Sequence, residues 1–429
     1  MTEIAAGRNA LKIVGLLDSA KLGVRPERCL MVRHKNAGCL RCADVCTTGA
    51  ITRGSDGRMA VDPDKCIGCG TCATACPSGC LEAKNPSDEE LEHALFAALA
   101  RGKGAAAIAC EAALSFARGL AGDSTDSALL LADGAPVVGV VCLGRAEESM
   151  LVEAAARGAR RITLVHHECG TCAHAPGGRL CETVCASARA LLEAFGSSCA
   201  VERAAAGDIA WKPSPDAAAS AVFAEVPADA TEEARAAAAA ETAAFTHVQA
   251  DGTLPHFVPP RRLRLFNSLK RLAAANKPAS DTFATRLWGQ VTINTELCRS
   301  CRMCTVFCPT GAVARFDGAN GAFGVEHRSA LCMQCRLCET ICPEQAITVS
   351  DAVSLSEFLR GTKFRFEMLP VGWRPNDSDA VATRVVRFMN TDRVQDPEAR
   401  ITEREMTEAQ EYANKRDARR AEIRAEQGE

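Results

Sequence analysis

Cys298-Arg299-Ser300-Cys301-Arg302-Met303-Cys304-Thr305-Val306-Phe307-Cys308-Pro309 is the stretch that decides how this chain is read. Three cysteines stand three residues apart, a fourth follows after three more residues, and a proline comes next. The same pattern returns at Cys332, Cys335, Cys338, Cys342 and Pro343. A short loop with this spacing can present three thiolates to one [4Fe–4S] cubane, which needs a fourth from elsewhere. The competing use is structural zinc. Zinc would call for pairs of C-x2-C rather than runs of four.

Together the two runs resemble the bacterial-type two-cluster ferredoxins. In that family the last cysteine of each run crosses to the other cluster. The resemblance implies one cubane on Cys298, Cys301, Cys304 and Cys342, and a second on Cys332, Cys335, Cys338 and Cys308. A related field lies near the N-terminus. Cys66, Cys69, Cys72, Cys76 and Pro77 form a full run, whereas the run before it departs from the pattern. Asn36 holds the first cysteine position, Thr47 replaces the proline after Cys46, and Cys39 and Cys42 remain. Cys29 is the spare thiol nearby, and four ligands are the rule. The expected sets are Cys29, Cys39, Cys42 and Cys76 on one cluster, and Cys66, Cys69, Cys72 and Cys46 on the other. Without Cys29, the first would be a [3Fe–4S] cluster or carry a non-cysteine ligand. Cys80 falls outside the pattern and reads as a buried core thiol. Gly49-Ala50-Ile51, Gly79-Cys80-Leu81, Gly311-Ala312-Val313 and Gln345-Ala346-Ile347 are equivalent points where the chain leaves a cluster for a short strand.

Twenty-four cysteines among 429 residues mean either disulfides in an oxidising compartment or metal in a reducing one. The opening residues lack the basic stretch and long apolar run of an export signal, and no run approaches the roughly 18 apolar residues of a spanning helix. A cytoplasmic, reducing setting is expected, with the cysteines as ligands. A net charge of −3 gives no overall basic field for nucleic acid.

Between the two cysteine fields the pattern changes. Ser87-x2-Glu90 reads as a capping box ahead of the apolar-periodic run Leu91–Leu99. Short apolar strands follow at 105–109, 136–141 and 161–165, with helical patterns at 111–120, 147–157 and 180–195. That alternation predicts a small parallel sheet with helices on both faces. Its sites should lie at the carboxyl ends of the strands, where Cys110, Cys142 and Cys169 stand. Cys172, Cys181 and Cys185 follow, so two ligand sets are open: Cys169, Cys172, Cys181 and Cys185, or the strand-end set. The region from Ala105 to about residue 203 resembles the iron–sulfur delta subunit of methanogen hydrogenase–heterodisulfide reductase complexes. The residues that match are Cys142-x-Gly144-Arg145 and Cys169-x2-Cys172-x-His174, each after a strand. The resemblance implies a [2Fe–2S] cluster on Cys110, Cys142, Cys169 and Cys172, and electron transfer between a hydrogenase or dehydrogenase and a flavin-containing partner. Cys110 stands alone where that family tends to carry two nearby cysteines. A fifth centre, [2Fe–2S] or [4Fe–4S], is therefore expected beside four [4Fe–4S] clusters. His166, His167 and His174 read as outer or solvent groups, and Cys199 as core.

The fold class expected is α+β and α/β multidomain, with two ferredoxin-like domains flanking a small parallel α/β domain. The boundaries are a helix over 1–24, ferredoxin-like 25–86, α/β 87–203, a linker over 204–290 with a basic amphipathic helix from Pro259, ferredoxin-like 291–350, and an extension over 351–429 with a charged helix. The basic helix reads as docking on an acidic face of this protein or a partner, with peripheral membrane contact as the second reading. No G-x-G-x-x-G, G-x4-G-K-[ST] or C-x2-C-H occurs, so neither dinucleotide, ATPase nor covalent haem chemistry is indicated. The reading is a non-catalytic electron-transfer subunit that relays single electrons within an anaerobic oxidoreductase complex. Its partners would be a flavoprotein, hydrogenase or molybdenum-type dehydrogenase. The alternatives are an oxidoreductase whose middle centre reduces a small substrate, and an assembly or maturation factor.

Overall fold

The computed structural model describes residues 21–34, 36–53, 59–121, 128–214, 253–318 and 321–368. Residues 1–20 of the expected N-terminal helix, most of the 204–258 segment and the charged tail lie outside the described residues. Leu22–Val24, assigned to that helix from the sequence, is instead a strand, paired antiparallel with Leu81–Ala83. The pairing buries Leu22 and Val24 against the cysteine-bearing core, which outweighs their helical spacing.

Both cysteine-rich units share one backbone plan. In the first, Leu22–Val24 pairs with Leu81–Ala83 and encloses a hairpin of Ile51–Arg53 and Met59–Val61. In the second, Gln290–Ile293 pairs with Ile347–Ser350 around a hairpin of Val313–Asp317 and Phe323–His327. Each cysteine loop runs into a short helix, at Arg41–Asp44, Thr71–Ala75, Met303–Phe307 and Leu337–Ile341. The loops curl because residues between the cysteines are left-handed: Gly68 and Gly70, Ser300 and Arg302, Gln334 and Arg336, with φ from 50° to 74°. Glycine takes that conformation freely. Ser300, Arg302, Gln334 and Arg336 hold it at about 1–2 kcal/mol each. The exit points Gly49, Gly79, Gly311 and Gln345 are left-handed too, so the repeat seen in the sequence is also a repeat of backbone shape.

In the middle domain, β1 (Ala105–Cys110), β2 (Val137–Val140), β3 (Arg161–His166) and β4 (Ala200–Ala205) form a parallel sheet in the order β2-β1-β3-β4. Ser87 caps α1 (Asp88–Arg101): its hydroxyl accepts from the Glu90 N–H at 3.2 Å, and the Glu90 carboxylate accepts from the Ser87 N–H at 2.8 Å. Ala106, Ile108, Val138, Ile162 and Leu164 share a core with α1, α3 (Glu148–Ala156) and α4 (Ala175–Ala194). Ala107, Ala109, Val137 and Val165 share the opposite core with α2 (Glu111–Ala121). Both faces are covered, which is why these strands read as continuous apolar runs. Trp211–Pro213 pairs with Leu129–Leu131, so the domain's packing runs past residue 203.

The basic helix α5 (Pro260–Ala275) packs along α3. Leu265, Leu269 and Leu272 are buried in the shared core. Beside them Arg264 donates to Glu147 at 2.7 Å, Arg271 pairs with Glu153, and Arg286 makes a two-pronged pair with Glu148 at 2.7 and 2.8 Å. The acidic face that this helix needs is thus on the same chain. No described helix is long and apolar enough to cross a membrane.

Candidate metal centres

The curled loops bring the cysteines into five groups. At site A, Cys42 is pushed up to about 12 by burial and then by Cys76, Cys29 and Cys39. At site B, Cys72 is raised well above its ordinary value by burial, followed by Cys69, Cys66, Cys42 and Cys46. Sites D and E, in the second unit, repeat the arrangement. Burial raises Cys304, with Cys301, Cys298 and Cys342 as its next causes. Burial raises Cys338, with Cys335, Cys332 and Cys308 behind it. In every case a thiol of the opposite run stands among the neighbours. Cys42, Cys72, Cys304 and Cys338, raised in this way, would each give up a proton on binding metal.

Site C lies at the carboxyl edge of the parallel sheet. Burial pushes Cys142 up to about 12, with Cys110 and Cys169 among its neighbours, and Cys110 and Cys172 in turn act on Cys169. The start of α4 makes room for these sulfurs. A methyl group at Gly177 would collide with Cys142 Sγ, and one at Gly178 would fall 2.8 Å from Cys169 Sγ. The His174 N–H donates to Cys172 Sγ at 3.3 Å, and the buried His174 Nδ1 has no hydrogen-bond partner among the described residues. Cys181 is buried on α4, with Cys142 and Cys169 among the groups acting on it. Cys185, one turn further along α4, is also buried, its sulfur 3.9 Å from the Val201 carbonyl. His166 turns to the His167 carbonyl at 2.6 Å, and Cys199 is buried in the core.

The chemistry of these donor sets fits iron–sulfur clusters. Each group is thiol-rich, partly buried, and lined by glycines or left-handed residues that leave space beside the sulfurs.

Several residues around these groups escape a reading of the sequence. Thr47 and Thr71 place hydroxyls 3.5 and 3.4 Å from Cys69 Sγ. Arg33 donates to the Phe307 and Cys308 carbonyls at 3.4 and 3.3 Å. The missing proline at Thr47 is the one signal of them that the linear pattern carries.

Residues 35–80 and 289–351 match the family described as 4Fe–4S dicluster domain. These two units are similar to 4Fe–4S dicluster domains. The B chain of selenate reductase from Mesobacillus selenatarsenatis is 38% identical over 66 residues, 15% of this chain and 21% of that protein. The probable iron–sulfur protein of the Frd operon of Proteus vulgaris is 56% identical over 41 residues, 10% of this chain and 26% of that protein. Electron transport protein HydN of Escherichia coli is 51% identical over 41 residues, 10% of this chain and 23% of that protein. The chain thus spans about a fifth to a quarter of the length of these relatives. The family match does not reach residues 87–203.

Proposed function

We propose that this chain is an electron-transfer subunit that relays single electrons between partner subunits of an anaerobic oxidoreductase complex. The observation that carries the reading is the fourfold cysteine loop, folded twice into one plan, with a thiol of the opposite run beside each thiol group. Clusters held in this way are one-electron carriers whose potentials follow burial and hydrogen bonding to sulfur. In this reading, site A uses Cys29, Cys39, Cys42 and Cys76, and site B uses Cys66, Cys69, Cys72 and Cys46. Site D uses Cys298, Cys301, Cys304 and Cys342, and site E uses Cys332, Cys335, Cys338 and Cys308. Site C takes Cys110, Cys142, Cys169 and Cys172, as the resemblance to the delta subunit implies. The glycine cradle at Cys142 and Cys169 supports that set. The names of the relatives (one chain of a reductase, one operon-encoded iron–sulfur protein, one electron transport protein) support partners of the same kind, such as a flavoprotein, hydrogenase or molybdenum enzyme.

Anaerobic purification with iron and sulfide counting, followed by redox-titrated EPR, tests the reading. About sixteen cubane irons and one further distinct signal are expected. A preparation that never exceeds about eight irons per chain overturns it.

A further inference from the structure

Chain order places the middle domain between the two ferredoxin-like units, which suggests that electrons cross it on the way from one to the other. The contacts in space are arranged differently. We propose that the five sites form a single series, D–E–A–B–C, in which the ferredoxin-like units exchange electrons directly and site C is a terminus. The proposal rests on the relay reading above and goes beyond it by fixing which site neighbours which.

The E–A junction joins two cluster loops. Arg41, between Cys39 and Cys42, donates to the carbonyl of Gln334, between Cys332 and Cys335, at 3.2 Å. Cys39 and Cys335 pack against one apolar cluster of Leu30, Leu254, Val306, Phe307 and Leu337. Leu30 follows Cys29, Leu337 precedes Cys338, and Phe307 precedes Cys308. The buried Arg33 ties the same faces together through the Phe307 and Cys308 carbonyls. The two sites thus border one shared apolar cluster.

The B–C junction also joins two cysteine-bearing segments: Cys142 leads into the turn Leu143–Arg145, whose Gly144 lies against Thr71 of the helix Thr71–Ala75. Thr71, whose hydroxyl is 3.4 Å from Cys69 Sγ, also lies against Gly177 and Gly144. A methyl group on Gly177 would meet both Cys142 Sγ and, at 3.2 Å, Thr71 Oγ1. The absence of a side chain there lets the two sites approach. Within each unit a short helix links its pair. Cys72 and Cys76 bracket one turn between B and A, and Cys304 and Cys308 do the same between D and E. Each step moves one electron, oxidising one cluster as its neighbour is reduced, with no bond made or broken.

The test uses the full chain, reduced stepwise with dithionite and followed by EPR power saturation. Relaxation of the site C signal should quicken at the step that makes site B paramagnetic. Cys66→Ser, which removes a site B ligand, should abolish that change, and Cys298→Ser, at the far end, should leave it intact. A site C signal that responds to Cys298→Ser instead overturns the series. So does a wild-type titration in which site C relaxation follows no cubane at any step, a result that needs no variant to fold. A wild-type protein lacking the cubane signals altogether fails the relay reading as well, which separates the two outcomes.

Discussion

Arg261 and Arg262 are adjacent in sequence and grip different ferredoxin-like units. Arg261 donates to the carbonyls of Ala73 and Cys76, whereas Arg262 donates to those of Leu287 and Cys332 at 2.5 and 2.7 Å. Two residues on, Arg264 binds Glu147 and Ser149 of the middle domain. One turn of α5 therefore joins all three domains. Burial lowers Arg262 to about 10, eased by the neighbouring Cys332, so it remains a cation at neutral pH.

Replacing Arg262 by Met should keep the packing of the stem but leave two buried carbonyls without their donor. Each orphaned group costs about 1–3 kcal/mol. The thermal midpoint of anaerobic Arg262→Met should fall clearly, and the site E signal should change. Arg264→Met, nearer the surface, should cost less, as partly exposed ion pairs do. Equal losses in the two variants would contradict this picture of the joint.

Gly177→Ala offers a test in which two effects have opposite signs. In a helix, alanine is favoured over glycine by about 1 kcal/mol. At Gly177, however, the new methyl would collide with Cys142 Sγ. The expected result is loss or distortion of the site C signal, with the four cubanes retained in iron counting and EPR. A more stable protein with an unchanged site C signal would show that the cradle has no role.

How much of this was legible in the sequence depends on the range of the forces involved. The cysteine runs, the capping box at Ser87 and the three strands before Cys110, Cys142 and Cys169 are local patterns, and each appears where its spacing placed it. The docking of α5 was half legible: its basic face asked for acidic residues, but Glu147, Glu148 and Glu153 lie more than a hundred residues away. Leu22–Val24 misled because three residues of helical spacing cannot reveal a strand partner sixty residues on. The junctions Arg41–Gln334 and Thr71–Gly177 were invisible, since nothing in a linear spacing tells which loop of one unit meets which loop of another.

Thr47 gives a use to the missing proline. Its hydroxyl lies 3.5 Å from Cys69 Sγ and can donate to a thiolate there, whereas proline has no such donor. Hydrogen bonds to cluster sulfurs help to set the reduction potential by stabilising the more negative, reduced state. Thr47→Val should shift the site B potential to a more negative value, while sites D and E keep theirs. An EPR-monitored redox titration reads this directly, and an unchanged or more positive site B potential would remove the role.

His327 should make the protein sensitive to mild acid. Burial lowers it from 6.5 to about 4, with Gln290 Nε2 at 3.5 Å from Nδ1 and, among the described residues, no partner for Nε2. Between those two values the unfolded chain binds a proton that the folded chain refuses. Stability therefore falls as pH drops from about 6.5 to about 4, by up to about 3 kcal/mol, and this contribution vanishes above about 6.5. His327→Gln should flatten that part of the profile relative to wild type and leave the profile above neutrality unchanged. Thermal midpoints of both proteins across the window check it; parallel curves would mean that His327 titrates normally.

Cys29 and Cys80 compete for one role at site A, and the structure divides them by charge. Hydrogen bonding from Cys80 lowers Cys29 and Cys76, while burial opposes it. As the shared donor, Cys80 is itself driven well above its ordinary value. Thiolates bind iron and neutral thiols do not, so the opposite shifts support the proposed set, with Cys29 as ligand and Cys80 as hydrogen-bond donor beside it. Cys29→Ser should remove about four irons per chain, or about one if a three-iron cluster forms and adds a new signal in the oxidised protein. Cys80→Ala should keep the full iron count and move only the site A potential, to a more negative value, because it removes a donor to sulfur. If Cys80→Ala loses the iron and Cys29→Ser keeps it, the two roles are reversed.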